Sequence, residues 1–420
     1  MRVLHTSDWH LGRNLEGRSR LPEQAQFIDE LVGIANRENI HLILVAGDVF
    51  DTYNPSAEAE ELFYDALERL SGGGRRALVV IAGNHDSPDR LHAANPLALK
   101  HGISMMGYPG EQLMVGASGE GVRRIKAGPG WVELAIPGCE DGVIVYALPY
   151  PSESRLNEVL TESLDEKEQQ LAYAERVGQL FAKADQIYKP DTINLAIAHL
   201  FACGGVESES ERQLGGALAV TPHVLPAKAQ YIALGHLHRP QQVHNAPQIC
   251  RYSGSPLSFV FSEADHQKEV VLVDIASSGV AGVRPINLSC GKALKRWRAD
   301  NIQEARDWCV EPNNLNCWVE LEIRVDKSID TPDLVELRKI HSGIVTIRPI
   351  FPEIAEEMSE LRRLSEMPLI DRFKIFFNRE RGIEPPEDLV KFFLEMVNQP
   401  EAEQEKGSED TPQPLGGEVA

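Results

Sequence analysis

Five short apolar runs in this 420-residue chain each end in side chains that can bind a metal ion. The runs read "RVLHTSD", "HLILVAGD", "ALVVIAGN", "TINLAIAH" and "AQYIALGHLH". The metal-competent residues that close or follow them are Asp8, His10, Asp48, Asn84, His85, Asp86, His199, His236 and His238. One such motif alone is more often a polar turn, but five in succession predict a single shared site.

The chemistry of these side chains narrows the class of metal and of reaction. They offer carboxylate, amide and imidazole ligands but no thiolate, a mixture that suits Mn²⁺, Fe²⁺ or Zn²⁺. More ligands are present than one tetrahedral ion needs, and two ions that share a carboxylate would use them. Two ions about 3.5–4 Å apart can clamp a phosphate and lower the pKa of a water between them. The sequence therefore predicts a site that acts on phosphate.

The apolar runs alternate with amphipathic segments over about the first 275 residues, and this alternation predicts the scaffold. Helices are expected over 22–36, 56–70 and 155–184, with Ser56 at the N-terminal cap of the second. Strands that alternate with helices form a layered α/β sheet, in which ligands bind beyond the carboxyl ends of the strands. The scaffold therefore brings the polar strand ends together at one edge.

The rest of the chain divides into segments that differ in residue composition and pattern. Glycine-rich turns over 107–150 predict hairpins that extend a sheet, and the strands of a first domain, 1–280, end near residue 288. A β-α-β-α-β order predicts a small α+β domain over 285–352. Amphipathic helices are expected over 353–400, followed by a disordered acidic tail over 401–420 with six acidic residues and one lysine.

The overall composition limits the function classes. A formal net charge of −21 argues, taken alone, against a nucleic-acid substrate, although a metal site or a partner subunit can reverse the local field. The six cysteines are scattered without a CxxC pair, which favours reduced thiols in a cytoplasm. The N-terminus has no apolar leader, and no run of about 18 apolar residues predicts a membrane span.

The ordered motifs DxH, GDxxD, GNHD, H and GHxH give the chain a family resemblance: it resembles the calcineurin-like metallophosphoesterases. Four further stretches, "HTSDWHLGR", "GDVFDTYNPS", "SESERQLGG" and "YSGSPLSFVFSE", make it similar to the DNA nucleases of that family. The resemblance implies a layered metallophosphoesterase sandwich of two mixed β-sheets flanked by helices. It also implies that the domain over 285–352 caps the first domain.

The resemblance further implies two ion sites that share Asp48. The other implied ligands are Asp8, His10 and His238 for the first ion, and Asn84, His199 and His236 for the second. His85 would act near the scissile phosphate as an acid or transition-state stabiliser. Asp51 and Asp86 would shape the loop or orient His85, and the alternative is that both are solvated turn carboxylates.

The resemblance also implies cofactors, substrate and partners. Two Mn²⁺ ions are expected, with Mg²⁺, Fe²⁺ and Zn²⁺ as alternatives, and the substrates would be double-stranded DNA ends and hairpins, cut exo- and endonucleolytically. A coiled-coil ATPase would bind the helices over 353–400, and the chain would form a homodimer in the bacterial cytoplasm at the nucleoid. The apolar side chains expected to meet the ATPase are Phe373, Phe376, Phe377, Phe392, Phe393 and Met396.

Three points stay open in the sequence. The stretch "KALKRWR" either contacts DNA phosphates or forms an edge strand with alternating charge. The same metal core would also suit a stand-alone phosphatase or nucleotide phosphodiesterase, because fold does not fix substrate. A scaffold subunit without metal is the third possibility, and the complete ligand set argues against it.

Overall fold

A computed structural model describes residues 1–117, 119–161, 163, 165–208, 218–326, 328–351, 367–381 and 383–398. The described residues up to 351 belong to one compact unit and those from 367 onward to a second. The predicted acidic tail over 401–420 lies outside the described residues. Within the described part of the chain, no helix combines the length and apolar character needed to cross a membrane.

The strands and helices are numbered in chain order. The strands are β1 (Arg2–Thr6), β2 (Asn14–Leu15), β3 (Arg18–Ser19), β4 (Leu42–Ala46), β5 (Ala77–Ile81), β6 (Ile103–Met106), β7 (Gly116–Ala117), β8 (Arg123–Gly128), β9 (Trp131–Ala135), β10 (Gly142–Leu148), β11 (Thr192–His199), β12 (Phe201–Ala202), β13 (Ala219–Val220), β14 (Tyr231–Gly235), β15 (Gln241–Gln242), β16 (Ile249–Tyr252), β17 (Glu269–Ala276), β18 (Gly279–Asn287), β19 (Ala293–Ala299), β20 (Cys317–Arg324) and β21 (Ile344–Ile350). The helices are α1 (Leu21–Arg37), α2 (Ala57–Ser71), α3 (Pro88–Ala93), α4 (Asn95–Ala98), α5 (Glu153–Leu156), α6 (Glu166–Ile187), α7 (Ile302–Val310), α8 (Thr331–Ile340), α9 (Leu369–Arg381) and α10 (Glu387–Asn398).

Two large mixed sheets form the centre of the first unit. One has the order β18-β17-β1-β4-β5-β6, in which β1, β4, β5 and β6 are parallel, β17 is antiparallel to β1, and β18 is antiparallel to β17. The other has the order β15-β16-β14-β11-β10-β9-β8-β7, and its parallel strands are β10, β11, β14 and β16. Val3, Leu44 and Val79 of the first sheet share one buried cluster with Val145 and Leu195 of the second. The predicted layered sandwich is confirmed.

Helices cover the outer faces of both sheets. Phe27, Ile28 and Leu31 of α1 recur at helical spacing and are fully buried on the first sheet, beside Phe63 of α2. Burying a side chain of this size contributes about 1.5–3 kcal/mol. On the second sheet, Phe181 of α6 is buried against the strands. Both sheets are therefore covered on both faces, which explains why their central strands are apolar throughout.

The predicted helices over 22–36 and 56–70 are confirmed to within one residue at each end. The Ser56 hydroxyl accepts the Ala59 N–H at 3.4 Å, as an N-terminal cap should. The single helix predicted over 155–184 is wrong, because two helices occupy this segment. Asn157 adopts a left-handed conformation with φ of 53° and ends α5, and the Asp165 carboxylate caps the start of α6.

The segment over 285–352 contains the predicted β-α-β-α-β order, with β20 in the middle of a parallel three-stranded sheet. "KALKRWR" lies on the edge strand β19, where Arg296 and Arg298 donate hydrogen bonds to Glu320 and Glu322 of β20 at 2.5 and 2.7 Å. Trp297 is buried in the core of this small domain. The edge-strand interpretation is therefore the one that the structure supports.

The small sheet packs on the rest of the first unit through buried contacts. The Trp318 indole N–H donates to the Glu23 carboxylate of α1 at 2.8 Å. The same Trp318 ring belongs to an apolar cluster with Leu15, Phe261 and Leu294. That residues 1–280 and 285–352 form two separate domains remains a prediction.

The second unit contains α9 and α10, which pack as a helical pair. Phe373 of α9 stacks on Phe393 of α10 with ring centroids 4.2 Å apart. The Phe377 ring lies 6.1 Å from the Phe373 ring. Phe376 and Phe392 are 62% and 56% exposed. Short amphipathic helices are thus found where the sequence predicts them; residues 353–366 and the Met396 side chain lie outside the described part of the chain.

Candidate metal centre

The loops that carry the predicted ligands all begin at one edge of the sandwich. Three of them follow the parallel strands β1, β4 and β5 of the first sheet, and two follow β11 and β14 of the second. Backbone hydrogen bonds tie the first two loops together, from the Asp8 N–H to the Gly47 carbonyl at 2.9 Å and from the His10 N–H to the Asp48 carbonyl at 3.0 Å. The order of motifs in the sequence therefore becomes a cluster in space.

Strained backbone and close approach mark the site. Asp8, His10, Asp48 and His236 have φ values of 54°, 44°, 48° and 108°, a region that non-glycine residues rarely adopt. A Cβ atom on Gly235 would collide with the Ala46 carbonyl of the facing sheet. Such strain persists where the surrounding structure holds it, and it concentrates at functional sites.

The first group of side chains is Asp8, His10 and His238, whose ligand atoms all lie within 4.8 Å of one another. All three residues are buried. The Nε2 atoms of His10 and His238 lie 3.0 Å apart, and Asp48 Oδ2 lies 3.7 Å from His10 Nε2. These are the four residues predicted for the first ion.

The second group is Asp48, His199 and His236, again with ligand atoms within 4.8 Å. Asn84 Oδ1 joins it, at 3.0 Å from His199 Nε2 and 3.1 Å from His236 Nδ1. Asp48 Oδ2 lies 3.4 Å from His199 Nε2, so the Asp48 carboxylate stands between the two groups. These are the four residues predicted for the second ion.

Burial and neighbouring charges set the protonation of the imidazoles. Burial lowers the pKa of His10 and of His236 to about 3, so both rings are neutral and can offer a lone pair. Burial also lowers the pKa of His199, but the adjacent Asp48 carboxylate outweighs it and raises that pKa to about 9. The His199 Nδ1–H donates to the Ala46 carbonyl at 2.9 Å, which leaves Nε2 facing Asp48 and Asn84. A cation there competes with a proton for Nε2.

The donor set fits two divalent cations. In the second group, His199 Nε2 and His236 Nδ1 both face Asn84 Oδ1, at 3.0 and 3.1 Å. Two imidazole Nε2 atoms face each other in the first group, an arrangement that needs a proton or a cation between them. Asp8 and Asp48 are two buried carboxylates in the same cluster and would offset the charge of bound cations.

His85 stands beside this cluster with its ring 4.9 Å from that of His10. Its Nδ1–H donates to the Asp51 carbonyl at 2.8 Å, which fixes the tautomer and leaves Nε2 available. The Asp51 carboxylate accepts from Arg13 at 2.9 Å and lies 3.4 Å from His10 Nδ1. Burial raises the pKa of Asp51, but His10 and Arg13 outweigh it and lower that pKa to about 2.

Asp86 is fully buried rather than solvated. Its carboxylate accepts the backbone N–H groups of Val49, Phe50 and Gly83 at 3.1, 2.8 and 2.8 Å. Burial, with a further contribution from the Asp48 charge, raises the pKa of Asp86 to about 6. The contacts of Asp86 thus join the loops after β4 and β5, which matches the loop-shaping role among its predicted alternatives.

Sequence reasoning missed residues that hold these loops from a distance. The Arg155 guanidinium donates to the carbonyls of Gly83, Asn84 and Asp86 at 2.6, 3.2 and 2.7 Å. The Gln24 amide donates to the His10 carbonyl at 2.6 Å. No local motif marks either residue, because each bond joins segments far apart in the sequence.

A second missed group lies behind His238. The Glu263 carboxylate lies 3.0 Å from His238 Nδ1 and accepts the Lys268 ammonium at 2.8 Å. Burial raises the pKa of Glu263, but Lys268 and His238 outweigh it and hold that pKa well below its usual range. Glu263 is the last residue of the stretch "YSGSPLSFVFSE", and this stretch was the signal in the sequence that could have indicated it.

Comparison with known proteins places this chain in a family. The family model for calcineurin-like phosphoesterases matches residues 1–240. The SbcD subunit of nuclease SbcCD from Bacillus subtilis (strain 168) is 42% identical over 410 residues, which cover 97% of this chain and all of that protein. The SbcD proteins of Rhodobacter capsulatus and Escherichia coli K12 are 35% and 31% identical, covering 69% and 78% of this chain and 69% and 79% of their own lengths. The chain therefore belongs to the calcineurin-like phosphoesterase family and, within it, to the SbcD family of nuclease subunits.

Proposed function

We propose that this chain is a metal-dependent DNA phosphodiesterase that works as the nuclease subunit of an SbcCD complex. One observation carries the proposal: two groups of buried ligands meet at the Asp48 carboxylate. Membership of the phosphoesterase family makes the chain a hydrolase of phosphate esters, and the relatives named as SbcCD nuclease subunits support DNA as the substrate.

Each predicted ligand has a role in this proposal. Asp8, His10 and His238 would hold the first ion, Asn84, His199 and His236 would hold the second, and Asp48 would be a ligand of both. Two such ions activate a water and stabilise the attacking and leaving oxygens of a phosphate. Mn²⁺ suits the mixed oxygen and nitrogen ligands, with Mg²⁺, Fe²⁺ and Zn²⁺ as alternatives. Asn84 supplies its oxygen without another negative charge facing the phosphate.

The residues beside the ligands would orient the substrate and move a proton. His85 keeps Nδ1–H on the Asp51 carbonyl, so its Nε2 can donate to the leaving oxygen when the ring is protonated. Asp51 holds His85 through that carbonyl, and Asp86 holds the loops through backbone amides. Arg155 fixes the carbonyls on either side of His85.

The proposed substrates are double-stranded DNA ends, cut exonucleolytically, and hairpins, cut endonucleolytically. With a net charge of −21, the chain as a whole repels the DNA backbone, so a partner that brings positive charge would assist DNA binding. We assign that charge to the ATPase partner SbcC. The domain over 285–352 would cap the nuclease domain, and the complex would act at the nucleoid in the cytoplasm.

The helical pair α9–α10 is the proposed contact with SbcC. It exposes Phe376 and Phe392, two large apolar side chains on two short helices. An apolar helical surface of this kind suits docking on another helix, such as a coiled coil. The chain would also pair with a second copy of itself in the complex.

A nuclease assay tests the proposed activity. Purified chain is given Mn²⁺ and either linear duplex or hairpin DNA, with and without SbcC and ATP. Cleavage of both DNAs is expected, and it should disappear with EDTA and in Asp48→Asn. Hydrolysis of nucleotides but not of either DNA, even with SbcC and ATP, would contradict the proposal and favour a small-molecule phosphodiesterase.

Binding measurements test the partner assignment. Phe376→Ser with Phe392→Ser should abolish SbcC binding, whereas Val335→Ser, which changes an equally exposed side chain of α8, should leave it intact. DNA affinity should rise strongly when SbcC is present. Tight, salt-sensitive DNA binding by this chain alone would refute the assignment of the DNA-binding charge to SbcC.

A further inference from the structure

The stretch "YSGSPLSFVFSE" ends on a glutamate that the proposed reaction does not use. Glu263 is fully buried, and its Oε1 lies 3.0 Å from His238 Nδ1. Its second oxygen, Oε2, accepts the Lys268 ammonium at 2.8 Å and the Phe259 N–H at 3.2 Å. A charged group taken fully out of water needs such partners, and here one of them is a predicted metal ligand.

Lys268 balances this carboxylate from the inside of the protein. Its ammonium donates to Glu263, to the Ser255 hydroxyl at 2.9 Å and to the His238 carbonyl at 3.1 Å. Lys268 therefore contacts both the residue behind the ligand and the backbone of the ligand itself. The pair forms a built support for His238 rather than a surface ion pair.

The same stretch also supports the other side of the first ion site. The Ser7 hydroxyl donates to Asp8 Oδ2 at 2.5 Å and lies 2.8 Å from the Ser253 hydroxyl. Residues 253–263 thus stand behind two of the ligands predicted for the first ion. For the second ion, the corresponding ring nitrogen of His199 donates to a backbone carbonyl instead.

We infer that Glu263, balanced by Lys268, is a positioning residue that fixes the His238 tautomer and sets the affinity of the first ion site. An ionised carboxylate only accepts, so His238 must carry its proton on Nδ1, and the lone pair of Nε2 then faces His10 Nε2, 3.0 Å away. Carboxylates behind ligating histidines hold the ring and raise its basicity. The inference rests on the proposed two-ion site and deepens it.

The test is a titration of DNA-free protein with Mn²⁺, in which electron paramagnetic resonance measures the unbound ion. Wild type should bind two ions. Glu263→Gln should weaken one of the two by about 10–100-fold and leave the other unchanged, since loss of such a partner has that effect on metal affinity. The matched control is Glu269→Gln, which changes a carboxylate of β17 that pairs with Arg251. This variant should bind both ions as wild type does.

A double variant separates positioning from simple stability. Glu263→Gln leaves Lys268 buried without its charge partner, so the variant should also unfold at a lower temperature. Adding Lys268→Met should restore the melting temperature without restoring the metal affinity. Recovery of both together would overturn the inference, as would a Glu263→Gln variant with unchanged affinities. Failure of wild type to bind two ions would instead count against the proposed function.

Discussion

His85→Leu separates chemistry from metal binding at this site. The His85 side chain donates Nδ1–H to the Asp51 carbonyl, whereas its bond to Asp48 Oδ1, at 3.0 Å, comes from the backbone N–H. Leucine keeps that backbone bond, so Asp48 and both ions should stay in place. Asp51 is only half-buried, so water can satisfy its carbonyl, and the cost in stability should stay below about 1 kcal/mol.

The loss in rate should be large by comparison. A positioned proton donor contributes about 10²–10⁴-fold, which corresponds to about 3–5 kcal/mol of transition-state stabilisation. The assay is the kcat for Mn²⁺-dependent cleavage of duplex DNA at saturating Mn²⁺, with the number of bound ions measured on the same preparation. His92→Leu, at an exposed histidine of α3, is the control and should retain full activity. A His85→Leu variant that loses an ion, or that cleaves within about tenfold of wild type, would refute the assignment.

Three further predictions rest on contacts in the same unit. Asn84→Ala should weaken the second ion by about tenfold or more, because it removes the oxygen 3.0 Å from His199 Nε2, and Mn²⁺ titration should show the first ion unchanged. Arg155→Lys keeps the charge but not the forked bonds to three carbonyls, so kcat should fall by about tenfold, the worth of roughly one charged hydrogen bond, while Arg176→Lys on α6 should have no effect. Burial lowers the pKa of His5 from 6.5 to about 3, so the unfolded chain binds more protons between these values and stability falls as pH falls through that window. His5→Gln should therefore reduce the slope of the unfolding free energy against pH, measured by urea unfolding, by up to about 1.4 kcal/mol per pH unit between about pH 6.5 and 4.5. An unchanged slope would contradict this.

The scaffold of the site was predictable because local rules determine it. Parallel strands end at one edge of a sheet, so polar residues after successive strands meet there whatever the intervening loops do. Asp48 and His199 are 151 positions apart in the sequence, yet this rule alone brings them together. The helix over 155–184 failed as a prediction because the apolar spacing continues through Asn157, and only its left-handed conformation ends α5.

The supporting residues could not be predicted because their contacts are not local. Arg155 reaches carbonyls about 70 positions earlier, and nothing near it in the sequence indicates that its guanidinium binds them. In the sequence Asp86 looks like a turn carboxylate. In the structure its carboxylate accepts N–H groups from a loop some 36 residues away as well as from its own loop. Such bonds depend on how the sheets pack, which the order of motifs does not specify.

The most direct test of the two-ion site is a crystal structure with Mn²⁺, with anomalous scattering recorded at the manganese absorption edge. Two peaks about 3.5–4 Å apart are expected. One should lie among Asp8, His10 and His238, the other among Asn84, His199 and His236, and Asp48 should contact both. A single peak, or a peak among His10, Asp51 and His85, whose ligand atoms also lie within 4.8 Å of one another, would contradict the account.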